Sequence, residues 1–118
     1  MCGIGGAINY KPREITIETI GGIADSIRHR GPDDHGFYFA SNGKQTLTRN
    51  LADGFEFNVS LLHRRLSILD LTERGWQPMQ TPDKRYTISY NGEVYNYLEL
   101  KNRLSSKGYA FQTETDTE

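Results

Sequence analysis

Apolar and polar positions switch between a strand-like and a helix-like period along the 118 residues. Ile4 to Tyr10 mixes small and apolar residues and predicts a short buried strand. Gly3, Gly5 and Gly6 weaken such a strand but let another backbone or a ligand come close. After a turn at Lys11-Pro12-Arg13, Ile20, Ile23 and Ile27 recur at the spacing of one helix face. Thr16 is the expected N-cap, with Glu18 in the first turn. Arg28-His29-Arg30-Gly31-Pro32 supplies the stop: basic residues for the last turn, Gly31 for a left-handed cap, and Pro32 beyond it.

Asp33 to Gly36 then reads as a turn and Phe37 to Ala40 as a strand. Ser41-Asn42-Gly43-Lys44 is a hairpin turn whose second strand is expected over Gln45 to Leu51. Phe57 to His63 predicts another strand, residues 70–82 a loop around Trp76, and Tyr86 to Tyr90 a further strand. Asn96 and Glu99 have capping-box spacing ahead of a helix whose face is Tyr97, Leu100 and Leu104, up to Lys107-Gly108. Tyr109 to Thr113 predicts a last short strand. Strand, helix, several strands, helix, strand is an α+β order with antiparallel strands, not a βαβ alternation.

Composition narrows the class. A chain of this length holds at most one domain with a real core, taken here as residues 1–118. Fourteen basic against 15 acidic residues give a net charge of −1, which argues against a nucleic-acid-binding surface. The single cysteine, Cys2, makes no internal disulfide, no charged-then-apolar leader is present, and the apolar runs fall far short of the ~20 residues of a membrane span. A cytoplasmic, reducing compartment is expected, and there is no repeat.

Cys2 follows the initiator methionine directly. Once Met1 is removed, thiol and free α-amine sit on one residue, and an α-amine of ordinary pKa near 7.7–8.0 is a usable base at neutral pH. The alternative is a small buried apolar side chain. His29, His35 and His63 have no ligand spacing with Cys2 or with one another, so no metal site is expected; a Cys–His pair stays open. Asn91-Gly92 is either a hairpin turn or an amide and a backbone N–H aimed at one oxyanion. Arg64-Arg65, Glu93 and Asp116 are solvated charges unless they share a pocket. Together these groups supply an arginine for a carboxylate, acids for an amine, a thiol, and amide donors. That inventory suits an amino acid with a side-chain carbonyl, and L-glutamine fits well.

Met1-Cys2-Gly3-Ile4, Arg28-His29-Arg30-Gly31-Pro32-Asp33, His63-Arg64-Arg65-Leu66-Ser67-Ile68, Asn91-Gly92-Glu93-Val94-Tyr95-Asn96 and Thr115-Asp116-Thr117-Glu118 occur in this order. With them the chain resembles the N-terminal glutaminase domain of glutamine-hydrolysing asparagine synthetase, a class II glutamine amidotransferase with the N-terminal-nucleophile hydrolase fold. The resemblance implies an αββα sandwich of antiparallel sheets, incomplete here. It implies Cys2 as the nucleophile, with Asn91 and Gly92 as the oxyanion hole. Arg65 would clamp the substrate carboxylate, backbone groups of Leu66, Ser67, Ile68 and Leu69 would line the pocket, and Glu93 and Asp116 would hold the α-ammonium. It gives Arg28 and Arg30 no substrate role. The family's domain runs on past the Asp-Thr-Glu motif into a C-terminal synthetase domain that uses ATP and Mg to amidate aspartate. This chain is therefore expected to be an N-terminal piece, with no cofactor of its own and inactive while Met1 is retained. A sugar or other carboxylate acceptor, or a glutamine-binding domain without turnover, are the alternatives. An exposed strand edge leaves a homodimer open.

Overall fold

A computed structural model describes residues 1–52, 55–67 and 73–118. Its main unit is an antiparallel sheet of β1 (Gly3–Ile8), β2 (Asp34–Ser41), β3 (Lys44–Thr48) and β4 (Val59–Arg65), in the order β1-β4-β2-β3. Helix α1 (Ile17–Ser26) covers one face. A two-stranded ribbon, β5 (Met79–Gln80) with β6 (Thr87–Ile88), and helix α2 (Tyr97–Ser105) follow in the chain. The expected α+β class is the one observed, and the arrangement is that of a partial N-terminal-nucleophile hydrolase sandwich.

Strand alternation decides which residues meet α1. Phe37 and Phe39 of β2 and Leu62 of β4 point toward the helix and pack with Ile17, Ile20, Ala24 and Phe57. Phe37 and Phe39 stack with centroids 6.4 Å apart, and Phe57 and Phe55 close around Phe39 at 5.2 and 5.4 Å. Burying each such side chain contributes about 1.5–3 kcal/mol, so this cluster is the chief source of the sheet's fixed register. Ile23 and Ile27 complete the expected helix face. They seat on β1 because Gly5 and Gly3 offer no Cβ: one added there would come within 3.3 and 3.0 Å of them.

The β2–β3 hairpin forms as expected: Ser41 pairs with Lys44, leaving Asn42-Gly43 as a two-residue loop. Their φ angles of 49° and 78° are the left-handed pair that a type I′ turn requires.

Several expectations are corrected. α1 ends at Ser26, and Arg28–Arg30 form a separate 3-10 turn, so no basic residue lies in its last turn. Gly31 has φ −149°, which is extended and not a left-handed cap; glycine is needed there because a Cβ would overlap the Arg64 backbone. Asp34 to Gly36 belong to β2 and not to a turn, since β4 extends to Arg65 and pairs with them. Thr16 is the N-cap of α1 as expected, in extended conformation, but neither it nor Asn96 makes a side-chain cap hydrogen bond. Asn96, at φ −98° and ψ 26°, lies outside the extended region an N-cap takes, so the capping box is not formed. Residues 109–113 form no strand. Their backbone groups go to Leu104 O, the Lys101 ammonium and the Glu118 carboxylate instead of a neighbouring chain.

Candidate active site

The sheet's outer face builds the site. Leu62 and Arg64 point to α1, where Arg64 Nε donates to Ala24 O at 3.0 Å, so His63 and Arg65 point the other way. β1 pairs Gly3 with Arg64, which brings Cys2, one residue earlier, level with Arg65 on that same face. The half-buried Cys2 is held there by its neighbours. Leu66 N–H donates to Cys2 Sγ at 3.3 Å, the thiol lies 3.7 Å from Leu66 O, and Arg30 Nε donates to Cys2 O at 3.3 Å. Arg30, which the sequence left without a substrate role, thus fixes the backbone of Cys2.

Cys2 opens into a cavity of about 360 Å³ also lined by Arg65, Leu66, Asn91, Gly92, Glu93 and Asp116, a size typical of small-ligand sites. Residues more than a hundred positions apart are brought together here. The buried Arg65 lays its guanidinium over Gly75, where a Cβ would collide with it. One oxygen of Asp116 accepts Val94 N–H at 2.8 Å, and its other oxygen makes no hydrogen bond among the described residues. Glu93 is exposed at the rim. Ser67 stands outside this lining, its N–H donated to Asp33 at 2.8 Å. Ile68 and Leu69 lie outside the described residues. Asn91-Gly92 is not a hairpin turn: β6 ends at Ile88, its partner β5 lies earlier in the chain, and no strand follows before α2. Only Glu93 to Tyr95 separate the pair from Asn96 at the start of α2, too few for a second arm, and the pair is left facing the cavity.

None of the three histidines lines this cavity. His29 is exposed on the 3-10 turn, and His35 Nε2 lies 3.0 Å from Arg49 O. Ser89 Oγ–H donates to Leu62 O at 3.1 Å, so His63 Nδ1–H donates to Ser89 Oγ at 3.2 Å. His63 Nε2 is buried without a partner among the described residues. Burial, with the Arg65 charge adding to it, lowers the His63 pKa from 6.5 to about 4 against the opposing pull of Asp34. His63 is therefore a neutral structural imidazole, and a Cys–His pair finds no support. Among the described residues no three His, Cys, Asp or Glu side chains gather to hold a metal. No described helix is long and apolar enough to cross a membrane.

The model of the glutamine amidotransferase domain matches residues 1–118, the whole chain. The chain belongs to the glutamine amidotransferase family. Within it, this amidotransferase domain is 40% identical over 121 residues to asparagine synthetase [glutamine-hydrolyzing] 1 of Bacillus subtilis, covering all of this chain and 16% of the relative. Asparagine synthetase [glutamine-hydrolyzing] 2 of the same organism is 39% identical over 121 residues, with all of the chain and 14% of the relative covered. Asparagine synthetase B [glutamine-hydrolyzing] of Escherichia coli is 31% identical over 119 residues, with all of the chain and 18% of the relative covered. The amidotransferase chain thus spans less than a fifth of the length of each of these relatives.

Reading the sequence did not find Gly75, Gln77, Tyr90, Tyr95, Thr115 and Thr117, which complete the lining. Only Tyr95, Thr115 and Thr117 fell inside motifs that had drawn attention. Gln77, in a segment expected to be a plain loop, had no local signal at all.

Proposed function

We propose that this chain is the glutaminase half of a glutamine-dependent asparagine synthetase. One observation carries the reading: the Cys2 thiol shares a cavity with Asn91, Gly92, Arg65, Glu93 and Asp116. Arg65 binds the α-carboxylate of glutamine, Asp116 and Glu93 bind its α-ammonium, and the side-chain amide then extends toward Cys2. With Met1 removed, the Cys2 amine takes the thiol proton as Sγ attacks the amide carbon. Negative charge collects on the amide oxygen, where the Asn91 carboxamide and Gly92 N–H stabilise it. The C–N bond breaks, ammonia leaves with the proton carried by the amine, and a γ-glutamyl thioester stays on Sγ. Water cleaves the thioester and releases glutamate. While Met1 is attached that nitrogen is an amide and has no basic lone pair. Met1 is 76% exposed and so open to removal.

The names of the relatives support aspartate as the acceptor of the ammonia, activated with ATP by a synthetase domain outside these residues. The lone cysteine suits a reducing, cytoplasmic setting. The test is glutamate release from glutamine by the full-length, Met1-processed protein. Cys2→Ala is expected to abolish it while glutamine still binds; full activity in that variant would sink the assignment. Glutamine binding without any release by the unmodified protein would favour a non-catalytic glutamine-binding domain.

A further inference from the structure

Gln77 is 7% exposed, and its carboxamide joins two segments of the cavity wall. Its Oε1 accepts Tyr90 N–H at 2.7 Å, and its Nε2 donates to Thr117 Oγ1 at 3.1 Å. A backbone N–H only donates, so the amide can be oriented in one way alone. Tyr90 immediately precedes Asn91-Gly92, and Thr117 immediately follows Asp116. Asp116 in turn accepts Val94 N–H at 2.8 Å. The bonds therefore close a ring, from Gln77 to Tyr90, along the backbone to Val94, across to Asp116, and through Thr117 back to Gln77.

The ring stands on the main sheet. Gly36 of β2 lies beneath Gln77, and a Cβ there would overlap both the Gln77 carbonyl oxygen and the Trp76 indole. Trp76 Nε1 donates to His35 O at 2.9 Å, fixing the residue before Gln77 to the same strand. β2 pairs with β4, which carries Arg65 and is paired in turn with the strand behind Cys2. Nucleophile and ring thus share one rigid base.

We propose that Gln77 is a positioning residue: its carboxamide locks the Asn91-Gly92 donors and the Asp116 carboxylate into one geometry relative to Cys2. This rests on reading the site as a glutaminase. Asp116 is the end that binds the ammonium, and Asn91-Gly92 the end that acts on the developing oxyanion. Cutting the two arms of Gln77 separately should therefore affect different kinetic constants.

The experiment compares Gln77→Leu, Thr117→Val and Thr117→Ser in the full-length, Met1-processed protein. Gln77→Leu removes both bonds at similar volume and is expected to lower kcat about 100-fold and raise the glutamine KM about tenfold. Thr117→Val cuts only the Asp116 arm and is expected to raise KM about tenfold with kcat held within about threefold. Thr117→Ser keeps the hydroxyl and is expected to restore KM. A residue that merely supports the fold would lower stability without producing this split. Unchanged constants in Gln77→Leu, or a drop in kcat at constant KM in Thr117→Val, would overturn the proposal. A second readout needs no turnover. Amide hydrogen exchange at Tyr90 and Val94 should both accelerate in Gln77→Leu, and only Val94 in Thr117→Val. Unaltered exchange at Val94 in Gln77→Leu overturns the coupling. A protein that releases no glutamate would instead sink the glutaminase reading and leave the exchange result to decide the ring.

Discussion

Cys2 makes its contacts in three directions, and each comes from a different part of the chain: Leu66 N–H to sulfur, Arg30 to the carbonyl, and the open cavity beyond. The Leu66 N–H fixes where the sulfur sits at the cavity's edge. Arg65 is the matching feature at the far end of the proposed substrate. A charge-assisted bidentate pair is worth roughly 1.5–3 kcal/mol, so Arg65→Ala should raise the glutamine KM by about 10- to 100-fold with a smaller effect on kcat. Steady-state kinetics decides this, and an unchanged KM would remove Arg65 from the carboxylate role. Asn91→Ala should act the other way, lowering kcat about 100-fold with KM little altered. At this scale the sequence was informative wherever chemistry is unusual. A cysteine behind the initiator, an Asn-Gly with no room for a hairpin, and an arginine pair ending a strand all stand out. Arg30 did not, because its role is a contact with a backbone carbonyl 28 residues away.

At the level of elements, long periodic segments were legible and short ones were not. α1 shows its face through isoleucines at helical spacing, and the β2–β3 turn shows itself through Asn42-Gly43. β5 and β6 have two residues each, too few to display alternation. Spacing located both N-caps, Thr16 and Asn96, but not whether their side chains bond, which neither does. Leu62 is fully buried where α1 meets the sheet. Leu62→Ala should therefore cost about 2–5 kcal/mol, read as a lowered denaturant midpoint. A loss below about 0.5 kcal/mol would mean the helix–sheet contact is not the core of the fold.

For the molecule as a whole, the site's members were legible one by one but their convergence was not. Cys2 and Arg65 meet because β1 and β4 pair in one particular register, and Asp116 is tied in by the hydrogen bonds of the Gln77 ring. Such tertiary hydrogen bonds leave no periodic trace in a sequence. One global consequence is pH dependence. His63, buried against Ser89 with Arg65 and Asp34 nearby, has a folded pKa near 4 against an ordinary 6.5. The unfolded chain then binds the extra proton first as pH falls. Stability should be level above about pH 6.5, decline down to about pH 4 by on the order of 3 kcal/mol, and level off below. His63→Asn, which keeps a donor toward Ser89, should flatten that part of the profile in denaturation curves taken at several pH values. An identical slope in the variant would show that His63 is not its source.

The central claim is that Cys2 carries the glutamyl group between amide cleavage and hydrolysis. Its most direct test is mass spectrometry of the Met1-processed, full-length protein, quenched in acid during turnover of glutamine. The expected result is an N-terminal peptide beginning at Cys2 and bearing one γ-glutamyl group, absent in Cys2→Ala. Glutamate accumulating while that peptide stays unmodified under every quench time, or a glutamyl group found on another residue, would contradict it.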